Sequence, residues 1–337
     1  ERLKDSLLGW EERYKGPLGI SEFYNVSGIR SLPVLYSRIM PSDIKWFSQH
    51  GVRHMIYMHV MTDLWGTWTL NQRMFAKLIW DADTDGEHLL DEYFDSYYPT
   101  TSESTRKFYE HLERAMCNIK TYKYFVRDSE WNAYTLQKWI AVEGLQKKQD
   151  RLCDPEQPIF ELEHLKYDKY SPAENDGPAV VEIMDSMRLG RKYLDESLLK
   201  CSNSTEQKRL LEDERRFEYG QAMYNFIYHL IRTGMFHSEG NERLCRNEFR
   251  KVKSWADRLK NVVELVNVAS EDANSKNGFE ATQMTNIYDF FEQHYANLEI
   301  PDLCVFIKSI PIGLRDIILL DFQQMTVYDK TQGKNRN

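Results

Sequence analysis

Two carboxylates near the start of the chain, Glu22 and Asp63, have neighbours that suit acid–base chemistry. Cleavage of a glycosidic bond needs a proton donor for the leaving oxygen and a second carboxylate as base or nucleophile, held roughly 5 to 9.5 Å apart. Tyr24 and Asn25 follow the first carboxylate, while His59 precedes the second and Trp65 and Trp68 follow it. The two indoles flank Gly66-Thr67, and an indole face can stack on the apolar side of a sugar ring. His59 suits the orienting of a carboxylate or a sugar hydroxyl. Each group also has a structural reading: Glu22, Asp63 and His59 as hydrogen-bonded strand-end residues, and one Trp as a staple between its loop and the next helix.

Whether these groups meet depends on the elements that carry them. Gly16 to Asn25 is short, apolar-rich and bounded by turn residues, which predicts a buried strand. Pro41 and Ser42 open a helical stretch from Asp43 to Gln49, with Ser42 as N-cap and Gly51 as stop. Arg53 to Val60 reads as a second strand, so strand, short helix, strand is the simplest account, with the candidate groups at the strands' carboxyl ends.

From Trp68 to Leu298 the period is helical. Leu70, Met74, Leu78 and Ile79 share a face, and Leu89/Leu90, Tyr93/Phe94 and Tyr97/Tyr98 recur every four residues before Pro99. Further stripes are Phe108, Leu112, Met116 and Ile119; Val180, Met184 and Met187; Leu210, Phe217, Tyr224 and Ile231; and Val252, Leu259, Val263 and Val266. Trp80-Asp81 and Tyr97-Tyr98 complete such stripes and read as packing residues. The charge-mixed run of Glu206, Lys208, Arg209, Glu212, Asp213, Glu214, Arg215 and Arg216 reads as a solvated helix face with i, i+4 pairs. Residues 150–177 lack a period and read as a long loop; 304–310 and 317–328, joined by Pro311-Ile312-Gly313, suit a terminal hairpin. The expected division is 1–85 as a β/α portion, 86–298 as a helical domain, and 299–337 as a short β segment with a polar tail.

Composition narrows the functions open to such a chain. A formal charge of −8 argues against a nucleic-acid or anionic-membrane surface, because both need clustered Lys and Arg. No run approaches the roughly 20 apolar residues of a membrane span. The five cysteines, Cys117, Cys153, Cys201, Cys245 and Cys304, include no C-x-x-C pair, so they read as small buried apolar residues. Nucleotide-binding, zinc-protease and serine-hydrolase motifs do not occur, and no cofactor or metal is implied.

The run from Trp68 to Asp85, then Leu89 to Tyr98, resembles a pattern in the bacterial domain of unknown function 4838 family, found in polysaccharide-degrading loci. That pattern is an Asn, here Asn71, on a helix ending in Trp80-Asp81, then a short acidic turn and a helix ending in an aromatic pair. Glu22-Phe23-Tyr24, Leu32-Pro33, Asp43-Ile44 and Gly51-Val52 are similar to the segment before it, so the likeness runs from Leu8 to Tyr122. Pro99-Thr100-Thr101 departs from it, since family members more often carry Gly and small residues there. The resemblance implies the carboxy-terminal part of a glycoside-hydrolase-like (β/α)8 TIM barrel with a helical domain behind it. It also implies a carbohydrate substrate and a periplasmic or secreted location. Such a barrel takes about 200 to 250 residues, so the expectation is that an upstream barrel portion or a partner chain supplies most of it. The rival expectation is a non-catalytic glycan-binding or scaffold protein that uses the same aromatics.

Overall fold

The computed structural model describes residues 2–22, 33–57, 64–116, 180–238 and 240–268. Its elements are α1 (Arg2–Arg13), β1 (Leu18–Glu22), α2 (Ile39–Gln49), β2 (Val52–Tyr57), α3 (Trp68–Trp80), α4 (Gly86–Tyr97), α5 (Ser102–Met116), α6 (Val180–Lys200), α7 (Ser204–Ser238) and α8 (Glu242–Val268). The described chain is therefore mostly helical, with one small parallel sheet of β1 and β2. The expected 150–177 loop, the 299–337 segment with its hairpin, Cys117, Cys153 and Cys304 lie outside the described residues. Cys201 and Cys245 are free thiols, the second buried.

Strand, helix, strand occurs where the hydrophobic pattern places it. The register runs from Leu18 opposite Val52 to Glu22 opposite Tyr57, with an irregularity after the first pair that leaves Arg53 as an extra residue. Leu7 of α1 and Phe47 of α2 pack with Val52, Leu18, Ile20 and Met55 on one face of the sheet. The other face carries Gly19, Ser21, His54 and Ile56, and Ile56 is 67% exposed.

Helix α2 starts earlier than Ser42. Pro41 sits in its first turn, where a missing N–H removes no intrahelical bond. Ser42 Oγ instead donates to the Ile39 carbonyl at 2.9 Å. The amino-terminal end is served from a distance: Glu113 of α5 accepts from Ser37 Oγ at 2.7 Å and from the Arg38 N–H at 3.3 Å. Gly51, at φ +80°, ends the turn after α2 as expected.

On α3, Leu70, Met74 and Leu78 are buried, but Ile79 and Trp80 turn outward, with Trp80 91% exposed. Trp80 is therefore not a packing residue. Asp85 caps α4 by accepting the Glu87 N–H at 3.0 Å, and Leu89, Leu90, Tyr93, Phe94 and Tyr98 form its buried side. One core runs from Val34 through α3, α4 and α5 to Val262 of α8, crossing residue 85. Helices α5 and α6 pair antiparallel through Thr105–Ser197 and His111–Tyr193; α7 and α8 do so through Glu218–Arg258 and His229–Glu248.

Candidate functional site

Parallel pairing puts the ends of both strands together, because Glu22, last in β1, lies opposite Tyr57, last in β2. Glu22 belongs to the strand, but its side chain, like Tyr24, Asn25, His59 and Asp63, is outside the described residues. Trp65 and Trp68 share one turn: the Trp68 N–H donates to the Trp65 carbonyl at 3.1 Å, and the Thr69 N–H to the Gly66 carbonyl at 3.0 Å. Their surroundings differ. Trp65 is partly exposed, whereas Trp68 is 1% exposed and lies 4.0 Å from the guanidinium of Arg216, which covers its ring. Trp68 thus acts as the staple, and its face is occupied by protein.

The turn rests directly on α7. Arg216 Nη2 donates to the Leu64 carbonyl. Gly66 has φ +48°, and a Cβ there would stand 2.7 Å from the Glu212 carbonyl and 3.2 Å from Arg216 Cβ. Only glycine permits both the left-handed backbone and this approach.

Arg216 ends a line of four α7 side chains, Glu206, Arg209, Asp213 and Arg216, whose spacings of three, four and three place them on one helix face. Glu206 accepts from the Thr100 N–H at 3.1 Å, Thr100 Oγ1 at 2.8 Å and Thr101 Oγ1 at 2.6 Å, just before α5 begins. Arg209 donates to the Tyr97 carbonyl at 2.7 Å and stacks 3.8 Å from the Tyr97 ring. Asp213 accepts from Tyr98 Oη at 2.6 Å and Tyr109 Oη at 2.9 Å. Glu206 and Asp213 are each 1% exposed and Arg216 is 2% exposed. The expected solvated face is therefore overturned at these three residues. A signal for this existed in the spacing, since Glu206 and Asp213 are seven apart and alternate with Leu210 and Phe217 along the apolar stripe.

Burial dominates the electrostatics of this stripe. It raises the Asp213 pKa to about 8, against the pull of the two tyrosine hydroxyls and with a small push from Glu212. Burial, then the charge of Asp213, lifts Tyr98 and Tyr109 well above the ordinary tyrosine value. A carboxyl titrating near 8 has the profile of a proton donor. Both Asp213 oxygens are nevertheless taken by tyrosines inside the core, so the group joins α7 to the end of α4 and to α5.

Two other buried carboxylates serve similar joints. Burial raises Glu113 despite the hydrogen bonds from Ser37 and Arg38. Burial also pushes Glu248 upward, but Lys251, His229 and Arg232 together more than reverse it and leave Glu248 below its usual range. Its partner His229, 2.7 Å away, is lowered because burial outweighs the pull of that carboxylate. Among the described residues no group of three or more His, Cys, Asp or Glu is placed to hold a metal ion, and no helix is long and apolar enough to cross a membrane. No family model matches the chain, and no curated protein or solved structure matches it.

Proposed function

We propose that the chain belongs to a glycoside hydrolase acting on a polysaccharide or glycan, with β1, α2 and β2 as the last staves of a TIM-like barrel and the helices as the domain behind it. The observation that supports this most is the parallel pair itself. It sets Glu22 at a strand's carboxyl end, the end where barrel enzymes carry their chemistry, and the chain leaving β2 at that same end leads to Trp65. In this reading Glu22 and Asp63 are the acid–base pair and Tyr24, Asn25, His59 and Trp65 form the sugar-facing surroundings, while the buried Trp68, expected there too, only supports the turn of Trp65 from beneath. Parallel sheets are ordinarily covered on both faces, so further strands, from a preceding segment or a partner polypeptide, would cover Ser21, His54 and Ile56. A carbohydrate substrate and a periplasmic or secreted location belong to the same proposal.

A reducing-sugar release screen over plant and host glycans tests it. Glu22→Gln or Asp63→Asn should lower kcat roughly 10²- to 10⁴-fold, the usual contribution of acid–base catalysis, while Trp65→Ala should raise KM. Unchanged kinetics in all three would remove the site. The second reading, a glycan-binding or scaffold protein without catalysis, is favoured by one observation: the described carboxyls that burial raises, Asp213 and Glu113, are both tied to protein partners in the core. Glycan retention without sugar release would select it.

A further inference from the structure

We propose that Arg216 is a positioning residue for sugar binding: it holds the turn bearing Trp65, so that helix α7 sets how firmly a glycan is held. This rests on the glycan reading above and adds to it a residue more than 140 positions away in the chain. The contacts bracket Trp65 on both sides. Before it, the Leu64 carbonyl accepts from Arg216 Nη2; after it, Gly66 abuts the Glu212 carbonyl and Arg216 Cβ, and Trp68 lies under the guanidinium. The Trp65 carbonyl is itself bound by the Trp68 N–H. The backbone of Trp65 is thus fixed at each neighbour while the residue as a whole stays partly exposed.

The chemistry requires arginine. A planar guanidinium can lie on an indole face and donate in its own plane to a carbonyl at the same time, whereas a lysine ammonium is a point charge with no plane to stack and fixes neither contact in direction. An aromatic anchor held in place before the ligand arrives binds more tightly than one that must be ordered on arrival. Arg216 is itself fixed one turn from Asp213, whose two tyrosine contacts set the register of α7 against α4 and α5.

The test uses the full chain labelled with 5-fluorotryptophan, with the Trp65 and Trp68 signals identified from Trp65→Phe and Trp68→Phe, and a soluble array of plant and host oligosaccharides as probe. In Arg216→Lys, both fluorine signals should move or broaden while that of the distant, exposed Trp80 stays. Retention of the oligosaccharides held by the unmodified chain should fall about tenfold, the scale of one displaced aromatic anchor. Trp65→Ala should weaken retention at least as much, and adding Arg216→Lys to it should weaken it no further. Retention by Arg216→Lys equal to that of the unmodified chain, or losses that add fully in the double variant, would overturn the proposal and leave the glycan reading standing. An unmodified chain that neither retains nor cleaves any array member overturns the glycan reading, and this proposal with it. Should Arg216→Lys fail to fold, Gly66→Ala displaces the same turn from α7 with Arg216 intact, and the same readings decide.

Discussion

The two halves of α7 dock with different balances of buried charge and apolar packing. From Glu206 to Arg216 the helix meets α4, α5 and the turn after β2 through buried carboxylates and guanidinium groups. From Ala222 to Phe226 it meets α8 through apolar side chains, with Met223 and Phe226 buried in the same core as Phe249, Val252 and Leu259. Apolar packing tolerates exchanges that keep volume, because nothing directional is lost. Buried hydrogen-bonded charge is satisfied at one setting only, and deleting a partner leaves the other stranded. The first half therefore specifies where α7 sits through several such joints, while the second half relies more on apolar burial, with one polar pair, His229 and the buried Glu248, beside it.

This contrast is open to attack by substitution. The largest effect is expected at Asp213→Ala, which leaves the hydroxyls of Tyr98 and Tyr109 with each other but without their shared acceptor and opens a cavity, at a cost of roughly 3 kcal/mol or more in urea unfolding. Met223→Leu in the other half should cost less than about 1.5 kcal/mol. Equal costs would erase the distinction. Next in size, Tyr98→Phe and Tyr109→Phe should each cost roughly 1 to 3 kcal/mol by leaving an oxygen of the Asp213 carboxyl without its tyrosine partner. Tyr93→Phe sharpens the comparison, because the Tyr93 hydroxyl lies beside those of Tyr98 and Tyr109 but makes no well-aligned hydrogen bond among the described residues. Its loss should stay within about 0.5 kcal/mol.

Much of this architecture was legible in the sequence and its hardest part was not. The stripe of α4, that of α3 except for the outward-turned Ile79, the stop at Gly51 and the strand, helix, strand order follow from local period and turn chemistry, and they appear as expected. The start of α2 was missed because its cap is Glu113, 75 residues downstream of Arg38. The buried face of α7 was missed for the same reason. Charge normally marks solvent, and the partners that make burial tolerable, Tyr98, Thr100, Thr101 and Trp68, lie more than 100 positions away. Trp68 and Trp80 show how little composition alone decides: they bound one helix, yet α7 covers the first and nothing described covers the second. Of the candidate site, the strand-end position of Glu22 and the shared turn of the two indoles were readable; the clamp from Arg216 was not.

The most direct test uses pH, because the two halves titrate with opposite sign. Asp213 has a folded pKa of about 8 against an ordinary 3.8, so the folded state holds the extra proton and the stability it brings is lost as pH rises towards 8. His229 is depressed below 6.5 and Glu248 below 4.5, so each adds stability that is lost as pH falls, from 6.5 downward for His229 and from 4.5 downward for Glu248. Amide hydrogen exchange at about pH 5.5 and about pH 8, corrected for intrinsic rates, resolves the halves separately. Amides of 207–217 should be better protected at the lower pH, and those of 228–233 and 246–252 at the higher. Protection that rises or falls together across both halves of α7 would contradict the account.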